Sequence, residues 1–342
     1  MTRRRNRAFV GIACVWLALP HGCGDGTPLM DADLPDSRGD ASEESEHAPV
    51  LTSCGEGEAP WVPYLDGVFR RVYTPPGTRY LNDHTIVRGA DGLFHLYGIT
   101  EESPVMPFDE RNLLHAVASS LHGPWSPRPD ILRAEAPENV LWAPFAFERS
   151  PGQWTMYYWG QTSDQMIRRA DSVDLDRWTR VDSPVPGGRD PFVMRVGDHW
   201  FIYSVGARPT GDGHSNGQIV LATSTDLVHW SEPVTVVQDP DPSFIQGNLE
   251  SPTVVAWQRG YYLFVTRTGE DPIAYMKTFV LYSDDPTHFA WSPVTEIQAH
   301  AAEVLTHDGS WFITSAGWTA NVGERWRGLS LARLGWTHRC AR

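Results

Sequence analysis

Short apolar runs, each broken by Gly, Pro, Asp or Ser, recur along most of the chain. One run is aromatic and follows a tight turn: LFHLYGI after Gly92, QWTMYYWG after Gly152, HWFIYSV after Asp198, YYLFVTR after Gly260 and SWFITSAG after Gly309. A second follows each of these: LLHAVASS from Leu113, MIRRADS from Met166, QIVLATS from Gln218, TFVLYSD from Thr278 and GLSLARL from Gly328. A third mark is a tryptophan beyond a polar turn, at Trp125, Trp178, Trp230 and Trp291. A serine precedes the first three of these by six residues, at Ser119, Ser172 and Ser224. Ahead of each aromatic run stands a shorter one: DHTIVRG from Asp83, APFAFER from Ala143, DPFVMRV from Asp190, SPTVVAW from Ser251 and AEVLTHD from Ala302. Alternation with period two between such breakers predicts strands, and no long amphipathic helix stands out.

The repeat predicts the architecture. Tryptophan spacings of 53, 52 and 61 residues set the length of one unit, and each unit reads as four strands. Five four-stranded units arranged radially make an all-β, five-bladed β-propeller. A solenoid is the alternative, but it would leave sheet edges that need caps. The fifth unit stops after its third strand, near Trp336, while the strand-like stretch WVPYLDGVFRRVY (residues 61–73) has no unit of its own. It is therefore expected to close the ring as the outer strand of the last blade.

The chain ends modify this picture. Arg3, Arg4, Arg5 and Arg7 precede an apolar stretch from Ala8 to Leu19, the pattern of a signal peptide. That stretch is too short to span a bilayer comfortably. It runs into Leu19-Pro20-His21-Gly22-Cys23, which resembles a bacterial lipobox with Pro20 where Leu is usual. Residues 1–23 are thus expected to be a signal with lipidation at Cys23, or simple cleavage and secretion. Residues 24–60 hold ten acidic side chains and one arginine, the composition of a disordered tether. Residues 61–342 form the propeller domain. Localisation is expected to be outside the cell or on its envelope, with membrane attachment only through the lipid. Cys54 and Cys340 flank the globular part. In an oxidising compartment they would pair and tie the ends together, which in a chain-entropy model stabilises by about 5 kcal/mol. The alternative is two separate thiols.

Composition excludes some functions. The net charge of −14 argues against nucleic acid, which requires a basic surface. The 15 tryptophans suit a β-rich fold, a sugar-binding surface, or both. No zinc-type spacing, phosphate-binding glycine loop or nucleophile elbow occurs. A monomer is expected.

The chemistry gathers at the start of each unit. In a propeller the first strand of a blade lines the central channel, so residues at its start face one mouth. The units begin Asn82-Asp83-His84, Trp142-Ala143-Pro144, Arg189-Asp190-Pro191, Glu250-Ser251-Pro252 and His300-Ala301-Ala302-Glu303. Taken singly, an Asp before a strand is commonly a turn residue satisfying backbone N–H groups. Taken together, acids expected at the same register position in three of five units point to paired-carboxylate chemistry.

This layout resembles the five-bladed glycoside hydrolases of families 43 and 32 over nearly all of residues 61–338. Arg189-Asp190-Pro191 matches the Arg-Asp-Pro motif of family 32. Asn82-Asp83 is similar to its Asn-Asp-Pro motif, with His84 for Pro, and Glu250-Ser251-Pro252 to its Glu-Cys-Pro motif, with Ser for Cys. Trp142-Ala143-Pro144 looks like the second-blade motif of family 43. The resemblance implies that Asp83 is the general base of an inverting enzyme or the nucleophile of a retaining one. It implies that Glu250 is the general acid, and that Asp190 orients sugar hydroxyls and tunes Glu250. Carboxyl separations of about 5 Å and about 6.5–9.5 Å distinguish the two courses.

Asn82, His84, Trp142, Arg189, His300 and Trp318 are the candidate substrate-binding residues. For each there is a structural alternative: Arg189 pairing with an acid, Trp142 and Trp318 in the core, His84 and His300 as satisfied structural histidines. No cofactor is required, and the resemblance allows a structural calcium near His300. The implied function is glycosidase action on oligo- or polysaccharides of arabinose, xylose, fructose or galactose type. A non-catalytic carbohydrate- or protein-binding propeller and a transglycosylase are the competing readings.

Overall fold

The computed structural model describes residues 60–102, 109–243, 248–268, 277–316 and 327–338. Cys23, Cys54, Cys340 and Trp318 lie outside the described residues, so the lipidation, disulfide and Trp318 expectations rest on sequence alone. No described residue lies in an α-helix. The strands form five four-stranded antiparallel sheets. Blade one is β2 (His84–Arg88), β3 (Phe94–Thr100), β4 (Asn112–Ala118) and β5 (Ser126–Arg133). Blade two is β6 (Trp142–Ser150), β7 (Gln153–Trp159), β8 (Ile167–Ser172) and β9 (Thr179–Val185). Blade three is β10 (Arg189–Val196), β11 (His199–Pro209), β12 (Ser215–Ser224) and β13 (Val234–Gln238). Blade four is β14 (Leu249–Trp257), β15 (Gly260–Arg267), β16 (Lys277–Ser283) and β17 (Thr295–Gln298). Blade five is β18 (Val304–His307), β19 (Ser310–Ser315) and β20 (Leu329–His338), with β1 (Trp61–Tyr73) hydrogen-bonded to β20 at the outer edge.

The five sheets form a ring, a five-bladed propeller, and its core is divided among the gaps between blades. Five apolar clusters fill them, one per gap. Successive residues of one strand serve opposite gaps, as the two-residue period of a strand requires. On β15, Tyr262 and Phe264 face blade five while Leu263 and Val265 face blade three. The aromatic second strands are therefore buried on both faces, as in β3, where every residue is buried. Polar–apolar alternation, the pattern of a sheet with one wet face, is lost there because each blade is covered by two neighbours.

The serine-to-tryptophan turns lock one blade to the next. In blade two the Ser172 hydroxyl oxygen accepts hydrogen bonds from the N–H groups of Asp174 and Leu175, and Asp174 accepts from those of Asp176 and Arg177. This bends Leu175 to a φ of 64° and exposes its carbonyl to the Tyr97 hydroxyl of blade one, which donates at 2.6 Å. Trp178 then meets Tyr97 edge to face at 5.5 Å. Blade three repeats the device: Ser224 and Asp226 shape the turn, Leu227 takes a φ of 62°, and Trp230 meets Tyr157 at 5.9 Å.

The joint between the last and first blades adds a polar latch near the axis. The Glu303 carboxyl accepts from the Thr85 hydroxyl and the Ile86 N–H, both at 2.9 Å. The Thr314 hydroxyl donates its single proton to the Glu303 carbonyl at 3.1 Å, so His84 Nε2, 2.8 Å away, is the donor in their shared bond. Burial pushes the Glu303 carboxyl up to about 8, and the bonds from Thr85 and Ile86 pull it only partly back. A carboxyl raised above its unfolded value loses stability as pH climbs from about 4.5 through 8. Glu303→Gln removes that titration; its amide oxygen can still accept from the Ile86 N–H while its NH2 donates to the Thr85 hydroxyl oxygen. We expect the variant to gain on wild type steadily between pH 5 and 9, by about 2 kcal/mol or more at pH 9. Urea unfolding across that range measures it.

Candidate active site

The five blade starts converge on one channel. Asp83 and His84, Ala143 to Phe145, Asp190 to Phe192, Ser251 to Thr253 and Ala301 to Glu303 line it, so every blade contributes. Strand pairing aligns the starts residue by residue. Arg189 pairs with Val205 and Phe192 with Tyr203; Glu250 pairs with Thr266 and Thr253 with Phe264; Trp142 pairs with Trp159 and Phe145 with Tyr157. In each of these three blades two residues bulge between the pairs, the second being Pro144, Pro191 or Pro252. The residue ahead of each proline sits in the left-handed region, with φ of 46° at Ala143, 58° at Asp190 and 49° at Ser251. Ala301 in blade five follows suit at 47°. A proline has no N–H to give a ladder, so the bulge is where a strand tolerates it. Each bulge swings the preceding side chain toward the axis.

This register corrects one expectation. The three acids do not occupy one equivalent position. Asp190 corresponds to Ser251, whereas Glu250 corresponds to Arg189 and Trp142, one residue earlier. Glu250 accordingly stands one residue ahead of the bulge that carries Ser251, where blade three has Arg189. The acids are nevertheless brought into one bonded cluster. Arg189 Nη1 donates to Asp190 Oδ2 at 2.7 Å, and its Nη2 stands 2.9 Å from Glu250 Oε1. The same Nη2 donates to the Leu249 carbonyl at 3.1 Å. The Ser251 N–H donates to Asp190 Oδ2 at 3.1 Å, and the Ser251 hydroxyl donates to Asp83 Oδ1. Blades one, three and four thus meet through Arg189 and Ser251. Of the two readings of Arg189, the structure provides the acid pairing.

Electrostatics follow from this crowding. Burial first, then the neighbouring Asp190 and Glu250 charges, push the Asp83 carboxyl up to about 7, against the pull of Ser251 and Arg189. Asp190 is raised as well, chiefly by burial, with Arg189 opposing and Glu250 adding to the shift. His84 is buried and depressed to about 3, by burial and then by the charge of His300, so it is neutral at working pH. Burial also lowers His300, whose Nδ1 shares a 2.6 Å bond with the Ala316 carbonyl. Trp142 is partly buried and packs against Trp159 at 5.2 Å. Asn82 is buried beside Asp83, and its Oδ1 lacks a hydrogen-bond partner among the described residues.

Two residues beside the site escaped the sequence reading. The Tyr80 hydroxyl donates to buried Glu110 at 2.7 Å, and burial raises the Glu110 carboxyl to about 8. The charges of Asp83 and Glu250 add to that rise, so Glu110 shares their field. It lies in the loop before β4, where no strand register marks it. Ser251 appeared in the sequence only as a replacement for cysteine. Among the described residues no group of three or more His, Cys, Asp or Glu side chains is disposed to hold a metal ion.

No protein-family model and no curated protein matches the chain. Solved structures do. A GH43 β-xylosidase/α-arabinofuranosidase from a compost microbial metagenome matches with a TM-score of 0.57 at 18% identity, over 80% of this chain and 96% of that one. A GH43_1 enzyme from Xanthomonas citri matches at 0.57 and 17%, over 80% and 91%. The GH32 β-fructofuranosidase BmSUC1 of Bombyx mori matches at 0.57 and 17%, over 78% of this chain and 61% of that one. At these identities the likeness shows a shared five-bladed fold.

Removing the shared cation tests the electrostatic account. Arg189→Met leaves Asp190 and Glu250 facing each other with no counter-charge between them. We expect a loss of about 3–5 kcal/mol near neutral pH. The loss should shrink toward pH 4, because protonating the carboxyls relieves it. Denaturant melts at pH 4, 6 and 8 check both the size and the sign.

Proposed function

We propose that this chain is a glycoside hydrolase acting through Asp83, Asp190 and Glu250. One observation carries the reading: carboxyls from blades one, three and four form a single bonded cluster at the channel, joined by Arg189 and Ser251. A scaffold has no need to gather buried acids, because each costs desolvation. Glycosidic bond cleavage needs such a set, with one carboxylate at the anomeric carbon or its attacking water and one acid at the leaving oxygen. Asp83 suits the first role. It lines the channel, and its titration near 7 makes it a base matched to neutral pH. Glu250 serves as the acid at the leaving oxygen. Asp190, held on two sides by Arg189 and Ser251, is fixed to receive sugar hydroxyls. Asn82, with an acceptor awaiting a donor, suits a hydroxyl beside Asp83, and Trp142 offers an aromatic face at the rim of blade two.

The substrate class is oligo- or polysaccharide. The structural neighbours include xylose-, arabinose- and fructose-cleaving enzymes, which supports a pentose or fructose unit at the cleaved end. The signal and lipobox features support action outside the cell, with the enzyme secreted or lipid-anchored.

A panel of aryl glycosides and oligosaccharides tests the proposal. Asp83→Asn should lower kcat/KM by roughly 10²–10⁴-fold on every substrate cleaved. Glu250→Gln should be severe on oligosaccharides and mild on aryl glycosides, whose leaving groups depart without a proton. The wild-type profile should lose activity as pH falls through about 7, since protonated Asp83 can neither attack nor accept a proton. Turnover untouched by both substitutions would remove these residues from the mechanism.

A further inference from the structure

The bend at the blade starts is a property of the fold. Ala143, Asp190, Ser251 and Ala301 all adopt it, with φ between 46° and 58°. Two of the four are alanines, so the bend needs no polar side chain. At Ser251 the fold adds a hydroxyl, and that hydroxyl reaches across to another blade. It donates to Asp83 Oδ1 while the N–H of the same residue donates to Asp190 Oδ2 at 3.1 Å. Peptide linkage joins Ser251 directly to Glu250. One residue therefore touches Asp83 and Asp190 and is covalently tied to Glu250.

The donors of this cluster are divided unequally. Asp190 receives Arg189 and the Ser251 N–H, and Glu250 receives Arg189. Among the described residues Asp83 has no ion pair, and the Ser251 hydroxyl is the side-chain donor that reaches it. A hydroxyl has one proton to give. Given to Asp83 Oδ1, it orients that carboxyl and favours its charged form.

We propose that Ser251 is the positioning residue of this site, its hydroxyl and N–H fixing the Asp83 and Asp190 carboxyls relative to each other and to Glu250. The proposal rests on the reading of Asp83 as base or nucleophile. It adds that this group's competence depends on a neighbour that takes no part in bond making. Removing the hydroxyl leaves Asp83 buried beside Asp190 with less to offset the crowding, so it holds its proton to higher pH.

Ser251→Ala tests this directly, and Ala143 and Ala301 show that alanine accepts the bend. The acid limb of kcat/KM should move up by about one pH unit, a loss of up to about tenfold below the limb. Activity should recover at high pH, with KM changed less than about threefold. Ser251→Gly, which suits positive φ better than any other residue, should show the same limb shift with unimpaired folding. Ser251→Cys, with a weak donor, should fall between. The ¹³C resonance of the Asp83 carboxyl, assigned by its loss in Asp83→Asn, supplies a readout free of turnover. Its midpoint should rise in Ser251→Ala. A midpoint and an acid limb both unmoved would overturn the proposal. A moved midpoint in a protein that cleaves no glycoside would uphold the positioning role and defeat the enzymatic reading instead.

Discussion

Three carboxyl groups cannot share a narrow, largely dehydrated channel mouth unless something offsets their mutual repulsion. Arg189 does most of this, standing 2.7 Å from one acid and 2.9 Å from another. Its planar guanidinium can serve two carboxylates along different edges at once, which an ammonium group could not do with the same fixed geometry. The backbone makes the placement possible. Because Arg189 comes one residue before the bulge and Asp190 within it, adjacent residues in one chain supply both the cation and its partner.

The bulges deserve their place at the axis for a second reason. A ladder that continued to the mouth would present every side chain above or below the sheet, into the gaps between blades. Interrupting the ladder turns Asp190 and Ser251 inward instead. The gaps are then filled mainly by the five apolar clusters. Polar chemistry and apolar stability are separated by position along each strand. There are exceptions: at the joint of blades five and one Glu303 carries a buried carboxyl to the neighbouring strand, and between blades two and three buried Arg169 pairs with Asp171 and donates to the Leu227 carbonyl.

Much of this was legible in the sequence. Repeats of aromatic strands, with tryptophans spaced by about one blade, announced the ring, because each blade must present apolar residues to both neighbours. The serine six residues ahead of Trp178 and of Trp230 was visible too, and the structure supplies its meaning as a turn that docks on a tyrosine. Asp83 and Asp190 were legible because each opens an innermost strand. The register of Glu250 was misread: alignment by acid type hides a one-residue offset that alignment by proline reveals. Glu110 was invisible, since it acts from a loop through burial rather than through a pattern. Glu303 stood in the quoted motif of blade five, but a single acid ahead of a strand does not disclose that its hydrogen bonds cross to another sheet.

The pairing of β1 with β20 has a bearing on biogenesis. Trp61 meets His338 and Tyr73 meets Leu329, so the first and last strands of the described fold lie side by side. A chain emerging from a ribosome or a translocation pore must hold its leading segment unpaired until the trailing one arrives. Loop closure over so long a span is slow relative to local hairpin formation. Four blades can assemble as they emerge, while the circle is completed only by the finished polypeptide. Loss of the final strand would thus strand a nearly complete molecule with two raw sheet edges, making the carboxyl-terminal segment a checkpoint for maturation rather than a trimming of the domain.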